Sequence, residues 1–313
     1  MEASKSDNST YQQEDLAPLL MESKSSENQR SLGLDIIRIA SSYMVMQIHT
    51  AQFYYSGTWG VITSKTLAFW VGIFNSFFRI CVPLFVMSSG YLLLPIKTDL
   101  STFLKSRLIR VFIPFFVWGI FYSFYNFAVK NITLKECLIN IPLIFVNYGS
   151  YVDHLWYIYM LLGVYLLFPI ISPWIQQASL SHFLYFFVIW IFASSVDYIH
   201  LFAPIVWGEC FWNSYTTVYY FSGYIGYAVF GAFVKVYLNE KYDLYILAIL
   251  MMIVGYLITV IIWEVKLVHS PLNVFDLELS WKFTSCNVGV MAAGFFLFLR
   301  KIQSTNHKVN RIC

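Results

Sequence analysis

The chain has 313 residues, of which 58% are hydrophobic, 20% aromatic and only 12% charged. A soluble domain usually has about 25% charged residues, so this sequence has about half the charge that a water-exposed surface needs. Its 20 basic and 17 acidic side chains are spread along the chain and leave a net charge of +3, which argues against a nucleic-acid partner. The composition predicts a membrane protein.

Residues 1–31 differ from the rest because they are rich in Ser, Glu, Gln and Asn. Such a segment buries too little apolar surface to offset the entropy lost on ordering, so we predict a disordered cytoplasmic tail. A basic segment followed by a short apolar run and a small-residue cleavage site is missing, so no signal peptide is predicted.

Apolar runs long enough to cross roughly 30 Å of hydrocarbon follow the tail. They are continuously apolar rather than alternating, which excludes a membrane β-barrel. The sequence therefore predicts an all-α fold, a polytopic transmembrane helical bundle in residues 32–300, followed by a basic cytoplasmic tail at 301–313. Segments 67–78 and 138–148 are apolar enough to be interfacial or re-entrant pieces. The eight predicted spans lie near 34–54, 72–94, 109–129, 154–174, 183–201, 216–237, 244–263 and 283–299.

Most of the 20 basic side chains fall on the side of the N-terminus when these spans cross the membrane alternately. The positive-inside rule then places both termini in the cytoplasm, which agrees with an even number of spans. The expected location is the cell inner or plasma membrane, with a eukaryotic endomembrane as the alternative.

The first span contains Asp35 and Arg38 near its inner end and His49 toward its outer end. Eleven residues separate Arg38 from His49, which on a helix is three turns plus roughly 20° and about 16 Å of rise. Both side chains therefore point the same way. This pattern suggests a long ligand with an anionic head at Arg38 and a reacting end at His49. Arg38 is otherwise an ordinary cytoplasmic anchor, whereas ionisable groups such as His49 are rare within spans and usually line a polar cavity.

Arg107 and Arg110 stand near the start of the third span, at the same predicted face of the membrane as Arg38. Residues three apart share a helix face, and each guanidinium offers a planar fork of donors. The pair therefore fits a phosphate clamp, although a basic cluster that holds lipid headgroups would have the same sequence.

Arg79 lies in or at the outer edge of the second span, shortly before the small residues Ser88, Ser89 and Gly90. The small residues are typical of a close contact between helices. Arg79 either faces the same cavity as His49 or snorkels to the outer interface. Both interpretations remain open at this stage.

The fourth span opens with His154 and Trp156 at the predicted outer interface, where aromatic rings are common whatever the function. His154 could instead orient an outward-facing acceptor. A Gly-rich nucleotide loop, an HExxH motif and a GxSxG motif are missing, and the five cysteines form no CxxC pair. No metal site is therefore predicted.

Five elements of the sequence, in this order, resemble the acyltransferase 3 family of integral-membrane acyltransferases. They are LDIIRIA followed by His49, RICVPLFVMSSGYLLL, the Arg-x-x-Arg of Arg107 and Arg110 with its following proline, HLWYIYMLLGVYLLFPII, and FSGYIGYAVFGAFV. The resemblance covers roughly residues 32–300. The fourth and fifth elements are most similar to short bacterial members that acetylate surface glycans of the enterobacterial common antigen type.

The resemblance implies an O-acyltransferase that moves an acyl group, most simply acetyl, from cytoplasmic acyl-CoA to a hydroxyl of a sugar, polysaccharide or glycolipid of the cell envelope. Arg38, Arg107 and Arg110 match the positions that hold the phosphates of acetyl-CoA. His49 matches the catalytic histidine, which would act as a general base, with a transient acyl carrier as the alternative. Supporting or substrate-binding roles are expected for a further set of residues: Asp35, Arg79, Ser89, His154 and Trp156.

The sequence departs from the family pattern at its end. Members usually finish with a further helix that contains a Gly-Ile-Tyr-Leu-x-His-like segment, whereas this sequence stops at Cys313, shortly after its eighth predicted span. An inactive membrane scaffold is therefore one alternative function. A transporter or flippase, with His49 and Arg79 as relay groups, is another, although the two halves of the sequence show no internal repeat.

Overall fold

The computed structural model describes residues 31–57, 60–144, 153–203, 205, 209–210, 215–216, 221–238, 243–269 and 274–302. Almost all of these residues are helical. A single antiparallel pair of two-residue strands, β1 (Glu209–Cys210) and β2 (Tyr215–Thr216), stands among them. The predicted all-α fold is confirmed. Apart from their innermost residues, the predicted tails at 1–31 and 301–313 lie outside the described residues.

Eleven α-helices are numbered here in chain order. They are α1 Leu32–Tyr55, α2 Lys65–Ser76, α3 Cys81–Leu93, α4 Leu100–Ala128, α5 Leu134–Leu143, α6 Trp156–Gln177, α7 Leu180–Phe202, α8 Ile225–Phe233, α9 Tyr245–His269, α10 Val274–Leu277 and α11 Cys286–Leu299. Short 3-10 segments at Phe77–Ile80, Asp153–Leu155 and Glu278–Trp281 join or precede α3, α6 and α11, and a π-helical turn at Val234–Leu238 extends α8.

Within the described residues, five helical runs are long and apolar enough to cross a membrane: Lys65–Leu93, Leu100–Ala128, Trp156–Gln177, Tyr245–His269 and Glu278–Leu299. The chain therefore has the architecture of a multi-pass membrane protein. Helix α1 has 24 residues, about 36 Å at 1.5 Å per residue, so it is also long enough. It is less apolar than the five because it carries Asp35, Arg38 and His49. The predicted number of eight spans and the cytoplasmic termini stay predictions.

The structure corrects three predicted boundaries. The second span was predicted at 72–94, but α2 continues through Phe77–Ile80 into α3, so one run begins at Lys65 and includes the supposed interfacial segment 67–78. The sixth span was predicted to begin at 216, but its helix begins only at Ile225. Gly223 has a φ of 77°, which a regular helix does not allow. Residues 264–282, which lie between the seventh and eighth predicted spans, are helical as far as His269 and again from Val274.

The core is built by α1, α3, α8, α9 and α11. The most extensive contact joins α9 to α11, and the next joins α3 to α8. In the second pair the backbones nearly touch, because a Cβ on Gly90 would lie 2.0 Å from the carbonyl oxygen of Ala228 and one on Gly231 would lie 2.0 Å from that of Met87. The small residues after Arg79 therefore serve the close helix contact that the sequence predicted.

Helix α4 lies at the edge of this core and contacts mainly α5 and α6. Only 11% of its apolar window is buried, against 56% for Lys65–Leu93. Asp99 caps its first turn and accepts a hydrogen bond from the backbone N–H of Thr102 at 2.9 Å, which lowers the pKa of this carboxyl below its usual value. Helix α4 is therefore a long helix with a capped N-terminus, and most of its surface lies outside the protein core.

Candidate functional site

Helix α1 runs without interruption from Leu32 to Tyr55, so Arg38 and His49 keep the shared face that their spacing predicts. Both side chains are exposed rather than packed into the core. The core residues Ile37, Met44 and Ile48 of the same helix are buried and lie on another face. The helix thus presents a cation and an imidazole, about 16 Å apart along its axis, to the same accessible side.

The ring of His154 lies beside His49. Their ring centroids are 6.4 Å apart with the planes at 77°, and the two side chains interact electrostatically. Tyr122 of α4 contacts the other side of His154, with ring centroids 5.3 Å apart. The short 3-10 segment Asp153–Leu155 places His154 at the entrance of α6. Three helices therefore meet around His49.

Arg79 belongs to the same region because it interacts electrostatically with His49. Its side chain is only 7% exposed, so it does not snorkel to the surface. The guanidinium carbon lies 3.9 Å from the ring centroid of Trp281, a close cation–π contact. Of the two interpretations from the sequence, the geometry favours the one in which Arg79 faces His49. We call His49, Arg79, Tyr122 and His154 the His49 cluster.

A further group of side chains surrounds Arg79, and no sequence pattern predicted it. The Tyr55 hydroxyl donates a hydrogen bond to Glu278, and both groups interact electrostatically with Arg79. Trp281 stacks on Trp263, with ring centroids 3.6 Å apart, and its indole N–H donates to Ser76 Oγ at 2.8 Å. Trp263, Glu278 and Trp281 lie more than 180 positions from Arg79 in the sequence. Tyr55 and Ser76 are the last residues of α1 and α2. No local sequence pattern therefore connects these residues to Arg79.

Arg38 is 46% exposed and forms an ion pair with Asp35, 3.9 Å between Nη1 and Oδ1. Arg38 also interacts electrostatically with Tyr157. Asp35, for which the sequence suggested a supporting role, is thus the ion-pair partner of Arg38. The exposed guanidinium keeps donors available, in contrast to the enclosed Arg79.

Arg107 and Arg110 have neither a hydrogen bond nor an ion pair within the described part of the chain. They are not in contact with Arg38 there. Twelve residues separate Arg110 from Tyr122, about 18 Å on α4, which is close to the distance from Arg38 to His49 on α1. Since one membrane crossing, Lys65–Leu93, separates α1 from α4, the two helices run in the same direction. Both arginines therefore lie toward the same end of the helices as Arg38. We call Arg38, Arg107 and Arg110 the arginine end.

The remaining predicted residues lie apart from His49. Ser89 is half-buried, and its Oγ lies 3.4 Å from the Tyr165 hydroxyl. Trp156 stacks on Phe283, with ring centroids 5.7 Å apart, and also contacts Tyr224 at 5.9 Å. Trp156 thus packs against the core beside the cluster, and its predicted role as a substrate-binding residue stays a prediction.

The fold and this arrangement of ionisable groups inside apolar helices define a membrane protein with a site for a polar reactant. Its identity follows from one comparison. The model of the acyltransferase domain of the acyltransferase 3 family matches residues 31–308, and the chain belongs to this family. No curated protein and no solved structure matches the chain. The resemblance noted in the sequence is thereby confirmed for the family as a whole, and the chain is a membrane acyltransferase.

Proposed function

We propose that the protein transfers an acetyl group from acetyl-CoA to a hydroxyl of a sugar, polysaccharide or glycolipid. The observation that carries this proposal is the placement of Arg38 and His49 on one accessible face of α1, with Arg79 and His154 beside the histidine. A donor with phosphates at one end and a thioester at the other matches a cationic site and a basic site that are about 16 Å apart.

In the proposed reaction His49 accepts the proton of the acceptor hydroxyl while that oxygen attacks the thioester carbonyl carbon. The tetrahedral intermediate collapses, the C–S bond breaks, and CoA leaves as a thiolate that takes the proton back from His49. A general base in this position contributes typically about 10²- to 10⁴-fold in rate. The buried guanidinium of Arg79 adds positive charge on the side where the oxyanion forms.

At the other end, the planar donor forks of Arg38, Arg107 and Arg110 are suited to the phosphates of CoA. Arg38 and Arg110 are exposed, and Arg107 is half-buried. Arg107 and Arg110 have no ion pair within the described residues, so their donors are available to a ligand. We place the donor site on the cytoplasmic side, as the charge bias predicts, and the acceptor in the inner or plasma membrane or beyond it.

The test is acetyl-CoA binding and thioester cleavage by purified protein in detergent, with release of the free thiol as the readout. Saturable binding and turnover by the wild type are expected. His49→Ala should lose turnover by at least about 100-fold and retain binding. His269→Ala removes an exposed histidine at the end of α9 and is the matched control, expected to equal the wild type. Turnover that survives His49→Ala would contradict the assigned base.

The two roles left open for His49 differ in kinetics. A general base requires acceptor and acetyl-CoA together on the enzyme, whereas an acyl carrier releases CoA before the acceptor binds and gives ping-pong kinetics. Initial rates with acetyl-CoA and a soluble sugar acceptor varied together distinguish them. Intersecting reciprocal plots are expected, and parallel plots would show that His49 carries the acyl group.

A further inference from the structure

Tyr157 lies between the two ends of the proposed site. It follows His154 by three residues, so it occupies nearly the same side of the chain one helical turn further into α6. His154 contacts His49, whereas the Tyr157 hydroxyl interacts electrostatically with Arg38 and Tyr165. The first turn of α6 therefore begins beside His49 and brings Tyr157 within electrostatic range of Arg38.

The Tyr157 hydroxyl has no hydrogen-bond partner in the part of the chain that the structure describes. Its ring is half-buried and packs against Phe85, with ring centroids 5.8 Å apart. The hydroxyl oxygen is not fully enclosed by the protein, so a ligand group can reach it. An unused hydroxyl in this position points to a ligand.

Two further hydroxyls continue from Tyr157 away from His49. Tyr165 lies within electrostatic range of Tyr157, and its hydroxyl is 3.4 Å from Ser89 Oγ. That separation is long for a hydrogen bond between hydroxyls, so both groups keep capacity for another partner. Tyr157, Tyr165 and Ser89 form a hydroxyl row that joins α3 to α6.

We propose that Tyr157 is a positioning residue that binds the amide-containing arm of acyl-CoA, between the phosphates at Arg38 and the thioester at His49. This inference rests on the proposed function, since it takes acyl-CoA as the donor. Amide carbonyls accept from a phenol and amide N–H groups donate to it, so one hydroxyl can serve either group of the arm. By binding the arm, Tyr157 adds affinity for the donor between its two ends.

Tyr157→Phe tests the inference because it keeps the ring on Phe85 and removes only the hydroxyl. We expect it to bind acetyl-CoA about three- to tenfold more weakly, the loss of one neutral hydrogen bond. Binding of adenosine 3′,5′-bisphosphate, which lacks the amide arm, should be unchanged. The KM for acetyl-CoA should rise by the same factor with little change in kcat. A packing defect alone would not separate the two ligands in this way.

Tyr185→Phe is the matched control, because Tyr185 is 64% exposed on α7, and both ligands should bind it as they bind the wild type. Equal acetyl-CoA affinity in Tyr157→Phe and wild type would overturn the role of Tyr157 and leave the proposed function standing. Equal weakening of both ligands would also overturn it, since the hydroxyl would then serve the phosphate end. Failure of the wild type to bind acetyl-CoA would overturn the proposed donor and this inference with it.

Discussion

The His49 cluster and the arginine end contain similar chemistry in opposite surroundings. Arg79 is 7% exposed, lies over Trp281 and has Tyr55 and Glu278 beside it, whereas Arg38 is 46% exposed with one ion pair to Asp35. A buried charge is fixed by its partners before any ligand arrives, while an exposed one keeps its donors for the ligand. The difference indicates a preorganised reacting end and an accessible binding end.

The largest difference between the two ends is expected in the free energy of unfolding of their arginine variants. Arg79→Met removes a buried cation that interacts electrostatically with Tyr55 and Glu278, and should lower the free energy of unfolding by about 1–3 kcal/mol, because these polar groups lose their charged partner. Arg38→Met, with the same change of side chain at an exposed position, should stay within about 0.5 kcal/mol. Denaturation of both variants in the same detergent measures this.

A double variant sharpens this test. Combining Arg79→Met with Glu278→Gln removes both charges and should recover part of the lost stability, because no uncompensated carboxylate remains. Equal losses in Arg79→Met and Arg38→Met would show that burial does not distinguish the two ends.

Affinity for acetyl-CoA, unlike the free energy of unfolding, should depend more on the arginine end than on the His49 cluster. Replacing both Arg107 and Arg110 by Ala should weaken acetyl-CoA binding by at least about tenfold, since hydrogen bonds to charged groups contribute about 1.5–3 kcal/mol each. The loss should shrink as salt is raised. Lys105→Ala is the matched control, because Lys105 is a cation of α4 that points away from both arginines. An unchanged dissociation constant in the double variant would assign the pair to lipid headgroups.

His154 tests whether the reacting end depends on positioning. His154→Ala opens the space between His49 and Tyr122 and should reduce turnover about tenfold at unchanged acetyl-CoA affinity, because small displacements of a catalytic group are costly. His154→Phe keeps an aromatic ring there and should restore most of the rate. If the Phe variant is as slow as the Ala variant, an imidazole nitrogen of His154 takes part in the reaction.

The smallest effect is expected at Asp35. Its pairing distance to Arg38 is 3.9 Å and the arginine is largely exposed, so Asp35→Asn should change the free energy of unfolding by less than about 1 kcal/mol. The same denaturation experiment measures it. A loss comparable to that of Arg79→Met would show that the arginine end is also preorganised.

The helix boundaries show how much of the secondary structure the local sequence pattern predicts. Long apolar runs located the helices because a segment that crosses hydrocarbon must satisfy its own backbone hydrogen bonds. The predicted boundaries were wrong where a continuous apolar sequence contains a change in backbone conformation. Gly223, with its positive φ, delays α8 to Ile225, and Phe77–Ile80 joins α2 to α3 where the sequence suggested separate pieces.

The sequence by itself determined the membrane class, the family resemblance and the shared face of Arg38 and His49, because composition and helical period are local properties. Tertiary structure alone decided that Arg79 is enclosed by Tyr55, Glu278 and Trp281. These residues come from distant segments, and only the packing of α1, α2 and α9 with the segment before α11 brings them together. The same is true of Tyr157, because only the tertiary structure shows that its hydroxyl has no hydrogen-bond partner among the described residues and lies within electrostatic range of Arg38.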